Sequence, residues 1–301
     1  MTPPVIKLPL FGDAFMINPP RGVTVFGFTI YFYGLIITIG FILAALYVYR
    51  RCESFGMTRD DVINIFICAI AGGLIGARLY YVAFNPSEYF GAGKWMNILS
   101  FRDGGLAVYG GIILGAAAAA VYSLIKKLKP SRVFDAGALG LLIGQSIGRW
   151  GNFLNREAYG TETALPWRMG LETFPGSGEF RYVHPTFLYE SLWNALGFLL
   201  LHLFSRKFKH RRDGEIFLLY LLWYGVGRAM IEGLRTDSLY IPGTALRVSQ
   251  ILSAALALIS CAALAANRAR HKTPTPPETE TPGVDIGKNN QKTEVHDNGN
   301  I

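Results

Sequence analysis

The stretch VFDAGALGLLIGQSIGRWGNFLNREAYG, residues 133–160, changes character at its midpoint. Residues 133–147 are largely apolar, whereas Arg149, Asn152, Asn155, Arg156 and Glu157 crowd into positions 148–160. The first half belongs in a core or in lipid. The second half carries hydrogen-bonding capacity that neither environment accepts without a partner.

The composition decides between core and lipid. Of 301 residues, 51% are apolar and 17% charged, where a soluble domain carries about 25% charged residues. Several runs approach the roughly 20 apolar residues that a helix needs to cross a hydrocarbon core. Seven spans are expected, over 24–49, 62–84, 104–125, 133–147, 185–204, 215–234 and 248–266. The fold class is therefore an all-α polytopic membrane protein. The net charge of +8 suggests nucleic acid at first sight, but its placement excludes that. Lys and Arg gather at Arg50-Arg51, at Lys126, Lys127 and Lys129, along 206–212, and at Arg268, Arg270 and Lys272. These clusters follow spans one, three, five and seven, which is the positive-inside pattern with the N-terminus outside and the C-terminus in the cytoplasm.

Residues 1–23 are expected as an outer-face segment without the basic region of a cleavable signal peptide. Residues 24–266 form the membrane unit, with a small polar head at about 155–183 on the outer face. Residues 267–301, rich in Thr, Pro, Glu and Asn toward the end, are expected as a disordered cytoplasmic tail. Cys52, Cys68 and Cys261 form no CxxC pair and sit in or beside apolar segments. They read as reduced structural thiols, and no metal or cofactor site is implied.

Ionisable residues in the spans include Arg78, Glu190, Arg228 and Glu232, and Arg149 ends the fourth. Each costs about 2.5–3.5 kcal/mol at mid-bilayer on insertion scales, so each faces the interior or a wet cavity. In the sixth span Tyr224, Arg228, Glu232 and Arg235 recur at i, i+4, i+8 and i+11, one stripe of a helix. Arg228 and Glu232 neutralising each other, with Arg235 reaching the interface, is the plain reading of that stripe. It leaves Arg149 without a partner. If the fourth helix continues for a turn, Arg149 and Asn152 share a face. Gly148, Gly151 and Gly160 suggest instead an irregular backbone, tolerated at membrane depth only where it lines a cavity. Arginines and amides around a cavity suit an anion, and in a bilayer the abundant anion is a lipid phosphate. An interfacial anchor with Trp150 in an aromatic belt is the plainer alternative. His184 in VHPTFLYE stands at the outer boundary as a base, a phosphate donor or an ordinary interfacial histidine. Tyr109 in GGLAVYGG is either a core tyrosine or a functional one.

These residues resemble a known family. GRWGNFLNREAYG is similar to the signature GRxGNFxNxExxG of the bacterial prolipoprotein diacylglyceryl transferases, and every fixed position is met. Further matches are YFYGLIITIGF, GARLYYV, GGLAVYGG, HPTFLYE and YGVGRAMIEGLR, over roughly residues 31–253. The resemblance implies transfer of a diacylglyceryl group from phosphatidylglycerol to the lipobox cysteine of a prolipoprotein, at the outer face of a bacterial inner membrane. It implies Arg149 as head-group ligand and Arg228 as an essential cation. Tyr33, Asn152, Glu157, Gly160 and Glu232 would support them. Asn155, His184, Glu190, Tyr224 and Arg235 complete the expected substrate-binding set.

The substrate brings its own nucleophile, which fits the lack of a Ser-His-Asp or metal constellation. A free thiol has a pKa near 8.5 and needs a base or a positive field. Cations placed where the departing phosphate gains charge stabilise the transition state. Many members of the family carry a histidine where this chain has Tyr109, and a phenol with pKa near 10 is a poorer base. Tyr109 is kept among the expected catalytic residues, with His184 and Glu232 as alternative proton acceptors. An anion transporter built on Arg149 and Arg228 is the competing class. It would be expected to show internal repeats with paired broken helices, which an odd span count does not supply.

Overall fold

A computed structural model describes residues 4–90, 95–100, 104–208, 211–241, 243–244 and 246–269. Lys209, His210, Arg270 and Lys272 of the basic clusters, and the expected tail beyond Ala269, lie outside the described residues. Seven long helices dominate: α1 (Phe32–Arg51), α2 (Arg59–Phe84), α4 (Val108–Ile125), α5 (Pro130–Asn155), α6 (Thr186–Lys207), α7 (Glu215–Glu232) and α8 (Val248–Ala269). A single turn, α3 (Pro86–Tyr89), follows α2. Six short strands complete the order: β1 (Ile6–Lys7), β2 (Met16–Ile17), β3 (Gly22–Val25), β4 (Phe28–Tyr31), β5 (Met169–Glu172) and β6 (Phe180–Val183).

Five of these helices, α1, α2, α4, α6 and α8, are long and apolar enough to cross a membrane. The other two carry ionisable residues along their length: Arg132, Asp135 and Arg149 in α5, and Glu215, Arg228 and Glu232 in α7. Local signals set several helix starts. Thr58 and Asp61 form a reciprocal capping box at the start of α2, and Pro130 opens α5, where its missing N–H costs nothing.

Small residues bring the helices together. Along one face of α5, Gly140 lies against Ala44 and Val48 of α1, Gly148 against Ile37 and Gly151 against Tyr33. A Cβ on Gly151 would stand 2.6 Å from the Tyr33 ring. Between α2 and α4, the backbones at Gly76 and Gly110 approach so closely that neither accepts a side chain. The indoles of Trp193 on α6 and Trp223 on α7 stack at 4.3 Å, and each donates its Nε1–H to the other's backbone carbonyl at 3.0 Å.

The two ends of the bundle differ. At one end Arg51 donates to Ser205, Arg211 donates to the Ser54 carbonyl, and Lys129 and Arg132 both hold Asp213. The other end bears an antiparallel sheet in the order β2-β1-β5-β6. Its core is Ile6, Met169, Leu171, Val183 and Phe187, with Phe153 of α5 packed against it. The sheet therefore sits directly on the last turn of α5 and the first turn of α6.

Three expectations are corrected. The fourth span, expected over 133–147, is the 26-residue helix α5, about 39 Å long. Gly148 and Gly151 are helical because they face α1, and the irregular backbone begins only beyond them, at Arg156 (φ 56°) and Ala158 (φ 57°). Residues 24–31, expected in the first span, pair as the hairpin β3–β4, and the helix starts at Phe32. The head is not built from 155–183 alone, since β1 and β2 from the N-terminal segment join β5 and β6.

Candidate active site

At the sheet end, three helical segments deliver charge to one point. Glu190, on the second turn of α6, is 6% exposed. Arg149, near the end of α5, forms an ion pair with its carboxylate. Arg228 Nη1 approaches Glu190 Oε1 at 3.0 Å, and Arg235 Nη1 approaches the same oxygen at 3.3 Å. Glu232, 1% exposed, lies beneath: Arg228 Nη2 is 2.7 Å and Arg235 Nε 4.0 Å from its Oε2. Three guanidiniums thus meet two buried carboxylates, and Asp237, half exposed, adds a third acid at the rim, so the ion-paired set balances at three charges of each sign. Asp237 takes the outer side of Arg235 in a two-point contact of 2.9 and 2.6 Å. The hydrogen bonds from Arg235 hold the Asp237 carboxyl below its ordinary range.

The plain reading of the α7 stripe accounts for half of this. Arg228 and Glu232 do pair, but Arg228 also reaches Glu190, and Arg235 turns back into the cluster. Arg149 has the partner that the sequence left open, on a different helix. Glu232 Oε2 is buried and has no donor aligned with it as a hydrogen bond, although two guanidiniums stand within ion-pair distance.

The rest of the signature supports this centre. Arg149 Nη1 lies 3.5 Å from Asn152 Oδ1, one helical turn on, and Asn152 Nδ2 donates to Glu157 Oε1 at 2.9 Å. Asn155 ends α5, and its carbonyl accepts from Arg21 at 3.4 Å. Gly160 donates its N–H to the His184 carbonyl at 3.0 Å and forms an isolated bridge with Arg235. A Cβ there would meet His184 Cβ at 2.7 Å, so glycine lets the chain pass between the start of α6 and the end of α7. That amide is spent on the fold, and it is not exposed to a ligand as the sequence suggested. Tyr33 fills the space over Gly151. Tyr224 stands one turn before Arg228, half-buried, with its ring 6.1 Å from Tyr220.

Two expected residues stand apart from the cluster. His184 Nδ1 shares a 3.2 Å hydrogen bond with the Tyr189 hydroxyl. Tyr109 occupies the first turn of α4, 51% exposed, and no hydrogen bond or ion pair joins it to the arginines among the described residues. Arg78, the buried cation of α2, clamps the segment before α4. It donates to the carbonyls of Asn97, Ile98, Gly104 and Gly105 and lies over the Tyr89 ring.

Two site residues escaped the sequence reading. Asp237 follows Arg235 by two positions, a spacing that suits a local turn. Arg247 donates to the Glu232 carbonyl and packs on Tyr240, with no sequence pattern to mark it. No group of three or more His, Cys, Asp or Glu side chains is arranged to hold a metal among the described residues.

Comparison with known proteins gives the family. Residues 20–266 match the family model described as prolipoprotein diacylglyceryl transferase. The chain is 43% identical over 230 residues to the phosphatidylglycerol–prolipoprotein diacylglyceryl transferase of Clostridioides difficile (strain 630), covering 76% of this chain and 88% of that protein. It is 43% identical over 245 residues to the protein of the same name from Streptococcus uberis, covering 80% of this chain and 92% of that one. It is 42% identical over 235 residues to the Streptococcus pyogenes serotype M1 protein of that name, at 76% and 88% coverage. With the family model spanning the bundle from the β3–β4 hairpin to the last helix, the chain belongs to the prolipoprotein diacylglyceryl transferase family.

Proposed function

We propose that this chain transfers the diacylglyceryl group of phosphatidylglycerol to the cysteine thiol of a prolipoprotein lipobox and releases glycerol phosphate. The observation that carries the site assignment is that Arg149, Arg228 and Arg235 converge on the one carboxylate of Glu190. A single carboxylate cannot saturate the N–H donors of three guanidiniums, and the remaining donors bind a phosphodiester anion. A guanidinium presents paired N–H donors to its oxygens, so Arg149 and Arg228 grip the phosphate from two helices. Tyr33, Asn152, Glu157 and Gly160 hold Arg149 and the chain around it, while Tyr224, Glu232 and Arg235 brace Arg228. Asn155, His184 and Tyr109 line the approach, with Tyr109 positioning the incoming peptide.

The reaction follows from that placement. The substrate thiol gives up its proton to a base beside the cluster, and the neighbouring guanidiniums favour the thiolate that remains. The thiolate forms a bond to the glycerol carbon that carries the phosphate. The carbon–oxygen bond breaks, and the electron pair leaves on glycerol phosphate, whose phosphate gains a negative charge. Guanidiniums fixed at that point stabilise the charge without reorganising. No cofactor or metal enters this scheme.

All seven long helices cross the bilayer in this reading. The helices α5 and α7, with ionisable residues along their length, sit where the others shield them, as intramembrane charges require. The basic end faces the cytoplasm by the positive-inside rule. The sheet end and the arginine cluster then face the outer side of the bacterial inner membrane, as a head on a seven-helix catalytic unit, and the residues beyond the last helix form a cytoplasmic tail.

The test is transfer from phosphatidylglycerol to a lipobox peptide, followed as a diacylglyceryl mass increase on the cysteine. Arg149→Ala is expected to lower the rate by about 10²–10³, the usual cost of one lost anion-stabilising donor, with membrane insertion unchanged. Retention of most of the rate overturns the assignment.

A further inference from the structure

We infer that a groove walled by α1 and α6 and floored by α5 receives an acyl chain of the phosphatidylglycerol donor, and that its closed end limits chain length. The inference rests on the transferase reading above. The groove has a volume of about 550 Å³, and Leu43 and Leu46 of α1, Ile143 and Ile147 of α5, and Ala195 and Phe198 of α6 supply most of its apolar lining. Ser146 and Ile147, at its upper end, are three and two residues before Arg149, about 4.5 and 3 Å of helix rise below it. The groove's two hydroxyls are spent: Ser146 Oγ donates to the Ser191 carbonyl at 2.9 Å, and the Tyr47 hydroxyl pairs with His202. Apart from Arg50 and Arg51 at the lower end, what remains for a ligand is hydrocarbon.

The lower end is closed by a specific contact. Tyr47 of α1 meets α6, its ring edge-on to Phe198 at 5.1 Å and its hydroxyl 2.7 Å from His202 Nδ1. Arg50 and Arg51 lie at the same end. The depth suits a single leaflet. From Glu190 to Phe198 is eight residues and to His202 twelve, about 12 and 18 Å of helix rise. Half of a hydrocarbon core about 30 Å thick is about 15 Å. A chain hanging from a glycerol ester at the arginine cluster therefore reaches the Tyr47–His202 pair near its full length. Leu43, Leu46 and Ala195 are exposed at the rim, so the chain enters sideways from the bilayer.

The experiment compares dioctanoyl with dipalmitoyl phosphatidylglycerol as donors to a lipobox peptide in neutral detergent micelles, for the unaltered protein, Ala195→Phe and Leu43→Trp. Filling the groove is expected to lower kcat/KM for the long-chain donor at least tenfold, a loss of the size expected for a few displaced methylenes. Rates with the short-chain donor stay within about threefold, which also shows that the variants are folded. Equal changes for both donors, or none, in both variants overturn the inference. Absence of transfer by the unaltered protein with either donor overturns the transferase reading itself, and the groove assignment falls with it.

Discussion

Replacing Glu190 by glutamine probes the centre of the site. The substitution keeps the shape and one acceptor oxygen but removes the charge that Arg149, Arg228 and Arg235 share. Arg228 retains Glu232 at 2.7 Å, and Arg235 retains Asp237 at 2.6 Å. Arg149 keeps only Asn152 at 3.5 Å, so the cost falls on Arg149. Removing one partner of a buried ion pair costs about 3–5 kcal/mol. Arg149 is 25% exposed and glutamine still accepts a hydrogen bond, which places the expected loss near the low end, about 3 kcal/mol. At about 2 °C per kcal/mol for a chain of this size, the thermal midpoint falls by about 6 °C. The diagnostic arm is lipid. Phosphatidylglycerol supplies the missing anion, and a ligand at 100 times its Kd returns about 2.7 kcal/mol, most of the loss. Diacylglycerol, with the same chains and no phosphate, returns little. Thermal unfolding of Glu190→Gln in neutral detergent, with each lipid in turn, reads this directly. An unchanged midpoint without lipid, or equal recovery by both lipids, refutes the electrostatic reasoning.

Other perturbations test the frame and the rim. Gly76→Ala pushes a methyl into the Gly110 backbone and is expected to cost at least 1–3 kcal/mol, read as a lowered thermal midpoint; unchanged stability contradicts the close approach of α2 and α4. Glu172 accepts backbone N–H groups from Val5, Gly176 and Gly178, and these bonds, led by that of Val5, hold its carboxyl below the ordinary range. A depressed pKa stabilises the fold above the unfolded value and loses that contribution as pH falls through the folded one. Amide exchange in β1 and around 176–178 should therefore accelerate below about pH 4, and should show no such step in Glu172→Gln. Tyr109→Phe is expected to raise KM for the lipobox peptide with kcat little changed; a collapse of kcat instead makes Tyr109 part of the chemistry.

Periodicity exposed the stripe of Tyr224, Arg228, Glu232 and Arg235, because helical spacing alone puts them on one face. It also showed that Arg149 needed a partner. That the partner is Glu190 depends on how α5, α6 and α7 pack, which no local pattern encodes. The glycines of the signature misled for a related reason. Gly148 and Gly151 look like helix breakers in isolation, but across the interface they are spaces for Ile37 and Tyr33, and tertiary contact decides. The strands β1 and β2 have two residues each, too short for alternation to register, so the contribution of the N-terminal segment to the head was invisible. Arg78 was legible only as a cation that must face the interior; the backbone carbonyls that help hold it leave no trace in a sequence.

The most direct test is a structure of the protein with bound phosphatidylglycerol, read at the phosphorus atom. The account predicts the phosphate within hydrogen-bonding distance of both Arg149 and Arg228, at the mouth of the groove under Ser146. A phosphate held elsewhere, with all three guanidiniums still closed on Glu190, contradicts it.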